Sequence, residues 1–300
     1  MKNYVLSYRL LPVIALAICF LQSCQKSNNP VNQQPATSQE VQLMAATNMI
    51  YAASISDNET FNDAAASAES ADSTAPCAVI TFSPSKAVFP HQKIIDFGTG
   101  CTGTDGHTRK GKKIVTVLTN PLTAAAGTEL TEVTFENYYL DTINITGIVK
   151  SYLLNSANPG PRVIKIVSEK SIFSPNGDKN TITGTHEFTQ TEGAGTLTRS
   201  DDVNEITGHA EGTETLDGAT IFTWTSDVDD ANHVIKPAAC NYRTKGALNI
   251  SIELLTGGDA IFTERLDYGD GSCDNAATLS INGGTAHEIT LPLFFWPLSL

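Results

Sequence analysis

The chain of 300 residues carries 32 Asp+Glu against 19 Lys+Arg, a formal charge of −13 at neutral pH. A surface of that sign repels phosphate backbones and anionic head groups, which excludes a nucleic-acid partner and says nothing about fold. No Cys-x-x-Cys pair and no zinc-type Cys–His spacing occurs, so neither a structural metal nor another cofactor is expected.

At the N-terminus, Lys2 and Arg9 accompany the apolar run Leu10 to Leu21, which leads into Leu21-Gln22-Ser23-Cys24. A basic start, a short apolar run and a small residue before the cut define a secretory signal. The run is too short for a permanent membrane span. Cysteine at the cut, with leucine three residues before it, resembles the lipobox of bacterial lipoproteins. That resemblance implies that residues 1–23 are removed and that Cys24 becomes the lipid-bearing anchor to the membrane. Residue 25 is Gln, not the Asp of inner-membrane retention, which points to the outer membrane. Removal of the signal leaves 17 basic residues against 32 acidic ones, a charge of −15.

Residues 24–40 are rich in Asn, Gln, Pro and Ser and read as a flexible tether. Over residues 41–74 the apolar positions Val41, Met44, Ala45, Met49 and Ala52 fall on one helical face, and an Ala-rich stretch follows. Pro76 closes this short helical segment.

Residues 75–300 change to a period of two. Ile250, Ile252 and Leu254 alternate with Asn249, Ser251 and Glu253, and in Thr131–Leu140 the residues Val133, Phe135 and Tyr139 are expected to share a face. Further strands are predicted at Lys113–Leu118, Asn144–Tyr152, Val163–Ile172, Thr181–Thr189, Glu205–Thr215, Thr220–Thr225, Ala260–Leu266 and Ala277–Ile281. Turn signals such as Asp217-Gly218 and Asn282-Gly283 separate them. The fold class is therefore mainly β: an antiparallel β-meander closed as a barrel or a sandwich, with a short N-terminal helical segment. One face of each strand is apolar, so the sheet must close, stack or accept the N-terminal helix.

Two phrases repeat within this region, Asp96-Phe97-Gly98-Thr99-Gly100-Cys101 and Asp267-Tyr268-Gly269-Asp270-Gly271-Ser272-Cys273. Four cysteines outside the signal and the anchor allow three disulfide connectivities. Cys77 lies 24 residues before Cys101, and Cys240 lies 33 before Cys273. Each pair brackets one strand–turn–strand unit, which points to local bridges Cys77–Cys101 and Cys240–Cys273. The aspartates are read as caps on turn amides and the glycines as suppliers of positive φ. Asp267, Asp270 and Asp274 lack the spacing of a calcium-binding helix–loop–helix, and the competing reading is an oxygen-ligand site of another kind that they build with Asp96 and Asp105. Gly106–Lys113 fits the start of a phosphate-binding loop, but Lys113 replaces its final Ser or Thr and a strand follows, so it reads as a basic hairpin tip.

No nucleophile–base motif is present, and no catalytic residue is assigned. His209 and Glu211 share a solvated face with Glu205 and Thr207. His186 shares the buried side with Ile182 and Phe188, and Phe222 and Trp224 share another strand face. These four residues, His186, Phe188, Phe222 and Trp224, are the candidates for lining a ligand cavity. Core packing is the commoner fate of such side chains. The apolar end from Leu291 is expected to fold back onto the domain.

With DFGTGC, DGHTRKG, FENYY and LDYGDGSCDN on the page, the chain resembles a group of uncharacterised Bacteroidota lipoproteins that share these paired phrases. The resemblance spans roughly residues 77–291 and implies an exported lipoprotein without implying an activity. The expected function is non-enzymatic: a binding or structural module at the outer membrane for a glycan, peptide or protein. The alternative is a carrier whose β-barrel holds an apolar small ligand.

Overall fold

The computed structural model describes residues 77–291, except 105, 156–160, 174–176, 195, 197–198 and 256–259. The expected signal, tether and helical segment lie outside the described residues, as does the apolar tail beyond Leu291. Apart from one turn of 3-10 helix at Arg199–Asp201, the regular structure of the described residues is all strand.

The strands are β1 (Val79–Ser83), β2 (His91–Asp96), β3 (Cys101–Thr102), β4 (Thr108–Val117), β5 (Glu129–Leu140), β6 (Ile143–Leu153), β7 (Val163–Phe173) and β8 (Lys179–Glu192). They continue as β9 (Val203–Leu216), β10 (Ala219–Val228), β11 (Val234–Pro237), β12 (Lys245–Leu254), β13 (Ile261–Asp270), β14 (Ala276–Ile281) and β15 (His287–Thr290). All fifteen belong to one antiparallel sheet in which neighbours in the chain are mostly neighbours in space. Two slots are shared. Both β2 and β3 pair with β4, and β10 and β11 lie end to end between β9 and β12.

The tight hairpins follow from turn chemistry. Asp217 and Gly218 have φ of 50° and 81°, and Asn282 and Gly283 have φ of 50° and 68°. Two consecutive left-handed residues match the right-handed twist of the strands they join, which is why Asp-Gly and Asn-Gly serve here.

Alternation gives the sheet a buried inner face and a solvated outer one. Ile145, Val149, Ile164, Ile166 and Ile206 are wholly buried, and each such side chain stabilises the fold by roughly 1.5–3 kcal/mol. The outer face carries hydroxyls: Thr146, Ser171, Thr181, Thr213 and Thr223 are register partners across five strands. The Thr181 and Thr213 hydroxyls are hydrogen-bonded at 2.6 Å.

Two sequence expectations are corrected. Tyr139 does not share the face of Val133 and Phe135, because the register of β5 slips between Thr134 and Tyr138. Asn137 takes a positive φ of 47° there, so Tyr138 turns inward with 1% exposure, and Lys110 Nζ lies 4.9 Å from the Tyr139 ring centroid instead. Gly106–Lys113 is not a basic hairpin tip. Thr108–Val117 is strand throughout, and Arg109 and Lys113 point inward and are buried.

Candidate functional site

The inner wall of β8, β9 and β10 carries a chain of polar groups within an apolar surround. Asn180, Glu214 and Phe222 are register partners across the three strands, as are Ile182, Gly212 and Trp224 one pleat further on. Trp224 is almost fully buried, and an indole N–H has only donor capacity, so it needs an acceptor inside the protein. It donates to Asn180 Oδ1 at 3.2 Å, and Asn180 Nδ2 donates in turn to Glu214 Oε2 at 2.9 Å. Gly212 makes this possible. A Cβ there would stand 2.7 Å from the Trp224 ring and 2.0 Å from the Thr181 carbonyl.

Glu214 is the unusual group of the wall. Burial pushes its carboxyl up to about 7, the Asn180 hydrogen bond pulls it down, and nearby Asp178 raises it further. A carboxyl that titrates near neutrality gains or sheds a proton under mild conditions, and such groups concentrate at functional sites.

Phe188, Phe222 and Trp224 are buried, at 1%, 3% and 2% exposure, and His186 is half-buried on the same face. The four do not converge on one spot. Trp224 is level with Gly212 and His186 with Gly208, four residues apart on β9, or roughly 13 Å. Phe222 and Phe188 are level with Glu214 and Ile206, roughly 26 Å apart. Sequence reasoning missed Asn180 and Glu214, although both share strand parity with the apolar residues Ile182 and Ile206.

The repeated phrases serve architecture. Asp96 Oδ1 accepts from the Gly98 amide at 2.8 Å, and Asp267 Oδ1 accepts from the Gly269 amide at 2.9 Å. Asp270 and Asp274 accept from Ser272 and Ala276 in the same way, both at 3.0 Å. Asp105 lies outside the described residues. Disulfides join Cys77 to Cys101 and Cys240 to Cys273, each with 5.7 Å between Cα atoms. Among the described residues, no group of three or more His, Cys, Asp or Glu side chains is placed to hold a metal ion.

Outside, His209 and Asp227 pair at 2.8 Å, as do His233 and Glu205. Arg265 binds Asp229, whose carboxyl it holds below the usual range with help from Asn249.

Fold and wall together define a class: an antiparallel β domain of one sheet, with two disulfide-clasped turns and a buried acid–amide–indole chain. Compared with family models, curated proteins and solved structures, the protein matches none of them.

Proposed function

We propose that the protein is a lipid-anchored module of the bacterial cell envelope, held at the outer membrane through Cys24. Its β domain acts there without catalysis, as a binding or structural module for a glycan, peptide or protein. The observation that carries this reading is the pair of local disulfides joined to a signal ending in Leu-Gln-Ser-Cys. Disulfides persist in exported proteins and are rare in reducing compartments. The likeness to Bacteroidota lipoproteins rests on the same phrases.

The sheet, in this reading, rolls into a closed wall. Support comes from Asn241 Nδ2, which donates to the Thr104 carbonyl at 3.4 Å and so ties the Cys240 loop to the β3–β4 turn, 137 residues away. A carrier of an apolar ligand is the second reading, favoured by the Trp224–Asn180–Glu214 chain on the inner wall.

Replacing Cys24 with Ser tests the anchor: the variant should leave the membrane fraction, and continued attachment would refute it. Native mass spectrometry of protein extracted gently from its own envelope separates the two readings. A bare lipidated chain supports the display module, and an added mass lost on denaturation supports the carrier.

A further inference from the structure

We propose that the β1–β2 and β4–β5 loops, residues 84–90 and 118–128, form an apolar patch that rests on the surface of a lipid bilayer. This contact goes beyond the anchor at Cys24 and rests on exposure and charge alone. The loops leave the sheet side by side, because His91 and Val117 at their bases are register partners on β2 and β4. Val88, Leu118 and Leu122 are 52%, 36% and 41% exposed there, and Ala87, Ala125 and Ala126 are exposed around them. Apolar side chains gathered in the open on neighbouring loops mark a contact surface.

Charge singles these loops out. Asp and Glu make up 32 of the 300 residues, yet neither loop holds one, and Lys86 is their single charged residue. The other large apolar side chains in the open are placed differently. Val79, Ile148 and Ile261 are register partners of Asp96, Glu169 and Glu253, and Leu255 lies two residues beyond Glu253. A carboxylate beside them resists leaving water, so those positions stay solvated. Glu129 and Glu132, which follow the second loop, are paired with Lys150 Nζ at 3.6 and 3.3 Å.

The loops are also built to give up water. Drying a backbone amide is unfavourable unless it already has a partner. The Val88 amide donates to the Ser85 carbonyl at 3.2 Å, and the Leu122 amide donates to Asn120 Oδ1 at 3.0 Å. The Thr123 and Ala124 amides donate to the Asn120 carbonyl at 3.1 and 3.0 Å. Pro84, Pro90 and Pro121 have no N–H to satisfy. The buried His91 ring donates through Nδ1 to the Val88 carbonyl at 2.8 Å and holds that loop in place. A bilayer interface asks for this combination of apolar side chains, satisfied amides and no carboxylate. The tether predicted over residues 24–40 would let the domain turn this side to the membrane.

The test uses the full chain with Cys24→Ser, which cannot carry a lipid at that position, so the patch and the anchor fail separately. Flotation with vesicles of phosphatidylethanolamine and phosphatidylcholine, at roughly 10 mM lipid, should carry part of that chain. Val88→Asp with Leu122→Asp should lower partitioning at least about tenfold, while Ile261→Asp should leave it unchanged. Leu122→Trp gives a second reading without a new charge. Brominated acyl chains should quench its added emission at least about twofold, and should not quench that of Ile261→Trp. No flotation, an equal loss for Ile261→Asp, an unquenched Leu122→Trp, or self-association that Val88→Asp abolishes (a second copy on the patch) would each overturn the proposal.

Discussion

The two Asp-aromatic-Gly phrases are built alike at the turn and differently behind it. In both, the aspartate accepts from the amide two residues on, and the next glycine takes a positive φ, 59° at Gly98 and 96° at Gly269. In both, the strand paired with the phrase is bulged at a glycine, Gly111 on β4 and Gly246 on β12. Behind the turn they part. Phe97 packs on the Tyr138 ring at 5.7 Å, whereas the Tyr268 hydroxyl accepts from Arg243 at 3.2 Å and its ring lies under that guanidinium. The buried partner of the disulfide is Cys101 within the first phrase, but Cys240, upstream of the second. What recurs is a backbone device for ending a strand, and what fills the core behind it is free to vary.

The bulge glycines test the shared half of that comparison most strongly. A Cβ on Gly111 would lie 2.0 Å from the Asn137 carbonyl, and one on Gly246 would lie 2.2 Å from that of His233, each on a left-handed residue. Gly111→Ala and Gly246→Ala should each cost about 4 kcal/mol in denaturant unfolding, and tolerance at either one would break the parallel. Removing the disulfides one at a time, as paired Cys→Ala variants, comes next. Loops of 24 and 33 residues predict nearly equal losses of about 3–4 kcal/mol each, so unequal midpoints would show that the clasps differ in the native state.

Proton linkage sharpens the contrast between the clasps and the inner wall. The Glu214 carboxyl is raised from 4.5 to about 7, so its protonated form is favoured in the folded state. The stability it contributes is complete below pH 4.5 and is lost as pH rises through about 7, a change of roughly 3 kcal/mol. Glu214→Gln should flatten that slope in melts between pH 5 and 8. Asp270, in the second clasp, runs the other way. The Ser272 amide holds its carboxyl low, so its contribution is present above the ordinary carboxylate range and is lost on acidification. The smallest effects belong to the turn caps: Asp96→Ala and Asp267→Ala should each lower stability by about 1 kcal/mol.

Much of this was legible in the residues. Alternation alone places β5 to β10 and β12 to within a few positions, because those strands bury one face each. The clasps follow from cysteine spacing and a repeated phrase, since both bridges are local. Tyr139 went astray because its face depends on a bulge fitted to Gly111 on the neighbouring strand, which no window along β5 contains. Arg109 and Lys113 were placed at the surface by the general habit of charged residues, and strand parity overrules that habit here. The site was the least legible part. Trp224, Asn180 and Glu214 meet across 44 and 34 residues of chain, and a polar residue at an inward position gives no signal until its partner is known.

The position of the first disulfide has a mechanical consequence. Cys77 precedes β1 by two residues, yet its bond leads to Cys101, beyond β2. Tension applied to the chain upstream of Cys77 therefore bypasses the covalent loop that holds β1 and β2 and loads the β3–β4 pair directly. The sheet cannot be unzipped from its N-terminal edge one strand at a time. A domain suspended from one end would have to shear a longer stretch of sheet at once or break a sulfur–sulfur bond.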